Sequence, residues 1–358
     1  MVEVNELIAA SRYIQGSGAI ALLGESVAAL GRRAYIIGGR TALSMTEKRI
    51  RDSLRSSGVK VVAMDRTVKD CTYATIDSLV DAGMRAEPDF VIGVGGGRAV
   101  DTAKAVAWKL SVPSVSVGTQ CATNADASAE SVVYTDDREF LESVVLPRSP
   151  AVVIVDTEII AAAPVKFLVW GMGDALSTKF EAEAFAEAVR RRGGKPPTNT
   201  ALALADSTYQ SLMAYGLEAV EDLTRGAHSD AVDEVIEAVK LTSAIAFENA
   251  NCALAHAIHN GLTRTGAVKR EHGEIVAYGT IIQVAYEGRP KDEVLRIIRW
   301  CESVGLPTKL GDVCDHDEEA LSGAVEYACT KDPNANSMPE RPSPEEMART
   351  INRVERGI

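Results

Sequence analysis

Two textures divide the chain. Up to residue 162, short runs of apolar and largely β-branched residues recur at Ala34–Ile37, Val59–Met64, Phe90–Val94, Ser114–Val117 and Ala151–Val155. Runs that stay apolar, rather than alternating with polar residues, suit strands buried on both faces of a parallel sheet. Thr46–Ser57, Tyr73–Met84 and Val100–Leu110 lie between them with helical periodicity. Strand and helix in alternation imply βαβ units with right-handed crossovers. From residue 163 onward the chain is rich in Ala, Glu and Leu, with amphipathic stretches at Asp206–Ala219, Ser229–Asn249 and Lys291–Val304 and no convincing strand. That pattern predicts an all-α domain. Arg190–Pro197 and Asp332–Pro344 read as loops, and Pro344–Val354 as a last helix. The expected architecture is an α/β N-terminal domain with a parallel sheet over residues 1–162 and an all-α C-terminal domain over 163–358.

Composition narrows the function without choosing it. The 358 residues carry a net charge of −12, with 46% apolar and 25% charged residues, as in ordinary globular proteins. An acidic surface argues against nucleic acid and anionic membranes as partners, since both attract basic surfaces. The six cysteines are scattered with no CxxC pair, which suits a reducing compartment rather than a disulfide framework. The N-terminus lacks the basic-then-apolar pattern of a signal peptide, and no apolar run approaches the roughly 18 residues of a membrane helix. A cytoplasmic protein is expected.

Three segments carry chemistry. Phe90–Gly97 (FVIGVGGG) runs a buried strand into three consecutive glycines, and Arg98–Lys104 then opens a helix. Glycines let backbone approach a ligand closely, and a helix N-terminus attracts phosphate. The spacing is G-x-G-G-G rather than GxGxxG, so a pyrophosphate-binding turn and a purely structural turn are both open. The loop Gly118–Ser128 follows the next strand with small hydroxyl side chains suited to phosphate and ribose, or to a plain polar turn. The first strand ends in Gly38-Gly39-Arg40, with no acid for the ribose 2′-OH of NAD and an Arg able to accept the 2′-phosphate of NADP; either cofactor fits. Third, Cys252–Tyr278 holds His256, His259 and His272, three of the five histidines. The spacing of the first two puts them on one helix face. Asn260, Gly261 and Gly266 imply a turn that returns His272 to them. Three ligands and an open position would make a catalytic zinc-type site, whereas hydrogen-bonded core histidines are the plainer alternative.

Seven segments together resemble the glycerol dehydrogenase branch of the iron-containing alcohol dehydrogenase superfamily. They are RYIQGSGA (12–19), GVGGGRAVDTAKAV (93–106), SVVYTDD (131–137), VDTEIIAAAP (155–164), GMGDAL (171–176), AHAIHNGLT (255–263) and HGEIVAYG (272–279). The resemblance implies the fold shared with dehydroquinate synthase: a dinucleotide-binding α/β domain and a helical metal- and substrate-binding domain. It implies Asp174, His256 and His272 as metal ligands, and catalytic positions for His259 near the nicotinamide and Asn124 near the substrate. It further implies cofactor contacts at Gly95, Gly96, Gly97, Asp101, Thr119, Thr123, Ser128 and Tyr134, beside Gly39 and Arg40. Iron-type relatives have a further His where this chain has Thr178, so zinc is expected in preference to iron or another divalent metal.

The implied activity is a metal-dependent, NAD(P)-linked alcohol or polyol dehydrogenase in a homo-oligomer. Its expected partner is a small alcohol, polyol or hydroxy acid. Glycerol dehydrogenases carry Asp where this chain has Asn124, which lacks the charge and cannot take a proton, so the implied substrate is one other than glycerol. Trp170 either narrows the pocket or packs in the core. Two alternatives accompany this reading. One is a dehydroquinate synthase-like lyase, which typically uses Glu at the position of Asp174. The other is a glycerol-1-phosphate or hydroxycarboxylate dehydrogenase, with Arg264, Lys269 or Arg270 as the anion's partner.

Overall fold

A computed structural model describes residues 4–137, 140–315 and 318–358. The chain forms two compact units, Ile8–Pro164 and Val165–Ile358, the latter joined by the N-terminal segment up to Leu7.

The first unit is built on a six-stranded parallel sheet in the order β1-β8-β5-β4-β2-β3. Its strands are β1 (Tyr13–Gly16), β2 (Arg33–Gly38), β3 (Lys60–Asp65), β4 (Phe90–Gly95), β5 (Ser114–Gly118) and β8 (Val152–Asp156). Five of these are the apolar runs of the sequence; β4 and β8 are buried along their whole length, because helices cover both faces. The helices Arg40–Ser56, Tyr73–Ala86 and Gly97–Lys109 follow β2, β3 and β4. Ile36, Ile92, Val94, Val115, Val117 and Ile154 form the core of one face; Tyr35, Ile37, Val91, Ala103 and Val106 belong to the core of the other.

Three strands escape the sequence pattern. β1 is a short, half-buried edge strand. β6 (Glu130–Tyr134) and β7 (Phe140–Val145) form a separate antiparallel pair, and β7 is almost wholly exposed although four of its six residues are apolar.

The second unit is helical. Its framework is the 26-residue helix Lys166–Arg191, the equally long Asn199–Thr224, and Leu254–Thr263 and His272–Tyr286. The Ser229–Asn249 stretch becomes Asp230–Glu237 and Ser243–Ala250 joined through a π-turn at Ala238–Thr242. Asn260 and Gly261, read as breakers, lie inside the 254–263 helix. A Cβ on Gly261 would sit 2.4 Å from the Ala324 carbonyl oxygen, so this glycine serves helix contact rather than a turn. Among the described residues, no helix is long and apolar enough to cross a membrane.

Candidate metal centre and glycine turn

In the first unit, loops gather at the carboxyl ends of adjacent parallel strands, where open α/β sheets bind ligands. β2 and β4 are in register at Gly38 and Val94, and β4 and β5 at Gly95 and Gly118. Gly95 has φ +149°, a left-handed conformation that favours glycine. Gly96 caps the 13-residue 97–109 helix, and a Cβ on it would meet Gln120 Nε2 at 1.9 Å. On Gly97 it would approach Thr123 Oγ1 at 3.0 Å. Thr119 donates its backbone N–H to the Gly95 carbonyl at 3.0 Å. The glycine turn and the 118–124 loop are therefore packed together, and Asn124 lies at the end of that loop. Gly39 caps the 40–56 helix, whose first residue, Arg40, is exposed.

Three predicted cofactor residues are engaged by other parts of this unit. Asp101 is buried, and its Oδ1 lies 2.9 Å from Lys104 Nζ. Its Oδ2 accepts the Val132 N–H at 3.3 Å. Lys104 also donates to the carbonyls of Ala125 (2.7 Å), Ser128 (3.1 Å) and Glu130 and reaches Ser128 Oγ. This buried pair tethers the 125–132 segment to the helix, a positioning role for Asp101 and Ser128. Tyr134 lies beneath the Arg98 guanidinium, 5.9 Å from the ring centre, and burial pushes its hydroxyl up to about 12.

In the second unit, close helix contacts bring three ligand-type residues together. A Cβ on Gly273 would fall 1.8 Å from the Trp170 carbonyl oxygen, and one on Gly173 2.3 Å from that of Gly273. A Cβ on Gly279 would fall 2.4 Å from the Ala255 carbonyl oxygen. The backbones of the 166–191 and 254–263 helices thus touch that of the 272–286 helix where only hydrogen fits. Asp174 is the chain neighbour of Gly173, His272 of Gly273, and His256 of Ala255. Glu271 and Glu274 close a capping box that makes His272 the first residue of its helix.

The result is a compact donor set. His272 Nε2 lies 3.3 Å and His256 Nε2 3.5 Å from Asp174 Oδ1, and each of the three residues has a ligand atom within 4.8 Å of the others. Tetrahedral ligation at 2.0–2.2 Å separates neighbouring donors by roughly 3.3–3.6 Å, so the set fits one small divalent cation. Asp174 is interior to its helix and buried, which excludes a helix cap and leaves a carboxylate in need of a cationic partner. Burial alone would raise its pKa, but His272 and His256 hold the carboxyl well below the ordinary range. Burial likewise opposes the His256 imidazolium, yet Cys252, Glu181 and Asp174 raise this group well above the usual imidazole value.

Glu181 is the residue that sequence reading missed. Its Oε2 lies 2.7 Å from His256 Nδ1, while Oε1 accepts the N–H groups of Ala253 (2.8 Å) and His256 (3.0 Å). One buried carboxylate therefore caps the 254–263 helix and orients the imidazole, leaving Nε2 to face Asp174. Its signal was available: Glu181 lies two helical turns beyond Asp174, on the same helix face. His259 is engaged at both nitrogens, with His272 Nδ1 at 3.0 Å and Asn260 Oδ1 at 2.9 Å. Burial and the neighbouring His272 push its pKa well below the ordinary value, so it is neutral.

The remaining expectations resolve individually. Thr178 is buried, and the donor group contains no fourth protein ligand among the described residues. Trp170 is half-buried, edge-on to Phe167 at 5.2 Å with Lys166 Nζ 5.1 Å from its ring centre, which places it outside the core. Of the three candidate anion partners, all exposed, Arg264 stacks on Tyr327, Lys269 lies beside Asp315 and Arg270 beside Glu274. None of the six cysteines is in a disulfide, and all six are buried.

Comparison with known proteins gives the chain's relatives. The family description "Iron-containing alcohol dehydrogenase" matches residues 10–157. A glycerol dehydrogenase of Thermotoga maritima is 38% identical over 92% of this chain and 91% of its own. A glycolaldehyde reductase of Halobacterium salinarum is 35% identical over 89% and 88%. The crystal structure of a probable glycerol dehydrogenase from Sinorhizobium meliloti 1021 superposes with a TM-score of 0.90 at 34% identity, covering 99% of each chain.

Proposed function

The chain belongs to the iron-containing alcohol dehydrogenase family, as a metal-dependent, NAD-linked oxidoreductase of small alcohols or polyols, and we propose that Asp174, His256 and His272 hold its metal, a zinc ion. The observation that carries this reading is the pair of donor separations, 3.3 and 3.5 Å, at the edge length of a tetrahedral site. Three protein donors leave one position open, and Thr178 in place of a fourth favours zinc over iron.

When bound, the cation supplies Lewis acidity toward a substrate hydroxyl, and the nicotinamide supplies a hydride acceptor for the alcohol carbon. The chain's own residues prepare that chemistry. Asp174 contributes a full negative charge, kept ionised by its two imidazole neighbours. Glu181 holds the Nδ1 side of His256, so Nε2 keeps its lone pair for the site. The Gly95–Gly97 turn, with Thr119 and Thr123 packed on it, would hold the pyrophosphate at the helix N-terminus. Gly39 and Arg40 would lie at the ribose, and Arg40 makes NADP a usable alternative to NAD. His259 receives no proton-transfer step, because both its nitrogens are already paired. Asn124, neutral and at the end of the 118–124 loop, supports a substrate other than glycerol. The exposed apolar side chains of β7, Phe140 and Val145, support a homo-oligomer, and six cysteines outside any disulfide a cytoplasmic setting.

Metal analysis and turnover of Asp174→Asn and His256→Ala test the assignment. Both variants should lose zinc and activity together; a metal-free variant with full turnover overturns it. A panel of polyols and hydroxy acids against NAD and NADP tests the substrate, and fast glycerol oxidation overturns the inference from Asn124.

A further inference from the structure

We propose that Asn260 and Asp332, acting through His259, fix the tautomer of the metal ligand His272 and thereby set how tightly the metal is held. The inference rests on the metal assignment above and adds a positioning device to it. His272 faces Asp174 with Nε2 and His259 with Nδ1, at 3.0 Å from His259 Nε2. His259 Nδ1 lies 2.9 Å from Asn260 Oδ1, and Asn260 Nδ2 donates to Asp332 Oδ2 at 2.9 Å. Asp332 is 1% exposed, and its other oxygen, Oδ1, caps Asn334 N–H at 2.9 Å.

Each link constrains the next. A metal ligand needs the Nε2 lone pair of His272, which leaves the ring proton on Nδ1. That proton requires an acceptor, so His259 must present a bare Nε2 and carry its own proton on Nδ1. The Nδ1 proton requires Asn260 to present its oxygen, which points the amide NH2 away from the ring. An amide can turn over; a carboxylate cannot become a donor while ionised. Asp332 Oδ2 accepts the NH2 and is the one irreversible link, so it gives the whole chain its direction. Capping Asn334 uses only Oδ1 and leaves Oδ2 to this task. The two imidazole ligands are thus held differently: His256 directly by a carboxylate, His272 by a carboxylate two hydrogen bonds further away.

Asp332→Asn keeps the shape and the cap but turns the acceptor into a donor. The Asn260 amide must then reverse, His259 must accept at Nδ1, and its Nε2–H opposes the Nδ1–H of His272. Zinc affinity, measured by chelator competition, should fall by about 10–100-fold, with an altered visible spectrum in the Co2+-substituted protein. The exchange Asn260→Asp with Asp332→Asn restores the direction, because the carboxylate now at position 260 accepts both from His259 and from the amide at position 332. That double variant should bind zinc within about threefold of the parent. Thermal unfolding of the metal-free proteins checks the fold, and should Asp332→Asn fail to fold, the double variant alone decides. Affinity in Asp332→Asn within about twofold of the parent, or a double variant as weak as the single, overturns the relay. Zinc binding that survives Asp174→Asn overturns the metal assignment itself, whereas its loss there with native affinity in Asp332→Asn overturns the relay alone.

Discussion

Replacing Gly273 by Ala tests the idea that helix approach builds the donor set. The added Cβ would lie 1.8 Å from the Trp170 carbonyl oxygen, against an ordinary C···O contact of about 3.3–3.6 Å. The shortfall is roughly 1.5 Å, and backbone on both sides prevents a side chain from yielding. The 166–191 and 272–286 helices must therefore part, and Asp174 and His272 sit one residue from the point of contact. Their donors are 3.3 Å apart, so even half of that displacement takes them past the roughly 3.6 Å edge of a zinc tetrahedron. Overpacking should cost about 1–3 kcal/mol of stability in the metal-free protein. Zinc affinity should fall by more than about 100-fold, beyond what loss of an outer hydrogen bond produces. Chelator competition gives the affinity and urea unfolding of the metal-free protein the stability. Gly323→Ala is the control: Gly323 lies in the Glu318–Thr330 helix with nothing within 4 Å of its Cβ position. It should bind zinc normally and gain up to about 1 kcal/mol from helix propensity. A Gly273→Ala protein that folds and binds zinc as tightly as the parent refutes the reasoning.

Other perturbations reach different parts of the molecule. Lys104→Met strands the buried Asp101 carboxylate and releases three carbonyls of the 125–130 segment, which should cost about 3–5 kcal/mol in urea unfolding; a loss below about 1 kcal/mol would show the pair to be dispensable. Metal-induced stabilisation should grow with pH. His256 has a raised pKa in the folded protein, so its contribution to metal-free stability is complete below the ordinary imidazole value and disappears as pH rises through the folded one. Zinc needs the neutral ring, so the rise in Tm on adding zinc should increase as pH climbs above the ordinary imidazole value and through the raised one; a flat or falling increment contradicts this. Arg40→Ala should raise the KM for NADP and leave that for NAD within about twofold, and equal effects on both would remove Arg40 from the 2′-phosphate.

What sequence could reveal followed from periodicity. Strands such as Phe90–Gly95 are apolar because both faces are covered, and their hydrophobic runs mark them within a residue or two. The Lys291–Val304 helix has the bounds its amphipathic stripe predicts. β7 escaped because its apolar residues, Phe140, Leu141, Val144 and Val145, come as two adjacent pairs rather than alternating with polar ones. Motif resemblance reached Asp174, His256 and His272, which the structure gathers around Asp174 Oδ1. It did not extend to Glu181, whose helical spacing from Asp174 was readable, or to Asp332, whose part depends on where its carboxylate points after the helices pack.

Glycine illustrates why the rest stayed hidden. Gly173 and Gly273 stand beside Asp174 and His272 in the sequence, and Gly261 stands two residues after His259. As isolated letters they suggest turns, because glycine weakens a helix by about 1 kcal/mol relative to alanine. Yet each lies inside a helix and meets the carbonyl oxygen of another helix at a distance no methyl group could occupy. The lost propensity is offset by packing that only hydrogen permits. Asp174 and His272 come from different helices, and the glycines beside them let those helices approach at the point where the two side chains meet at 3.3 Å. A glycine beside such a ligand is then evidence for the site rather than against the helix, and Gly273→Ala is the substitution that separates the two meanings.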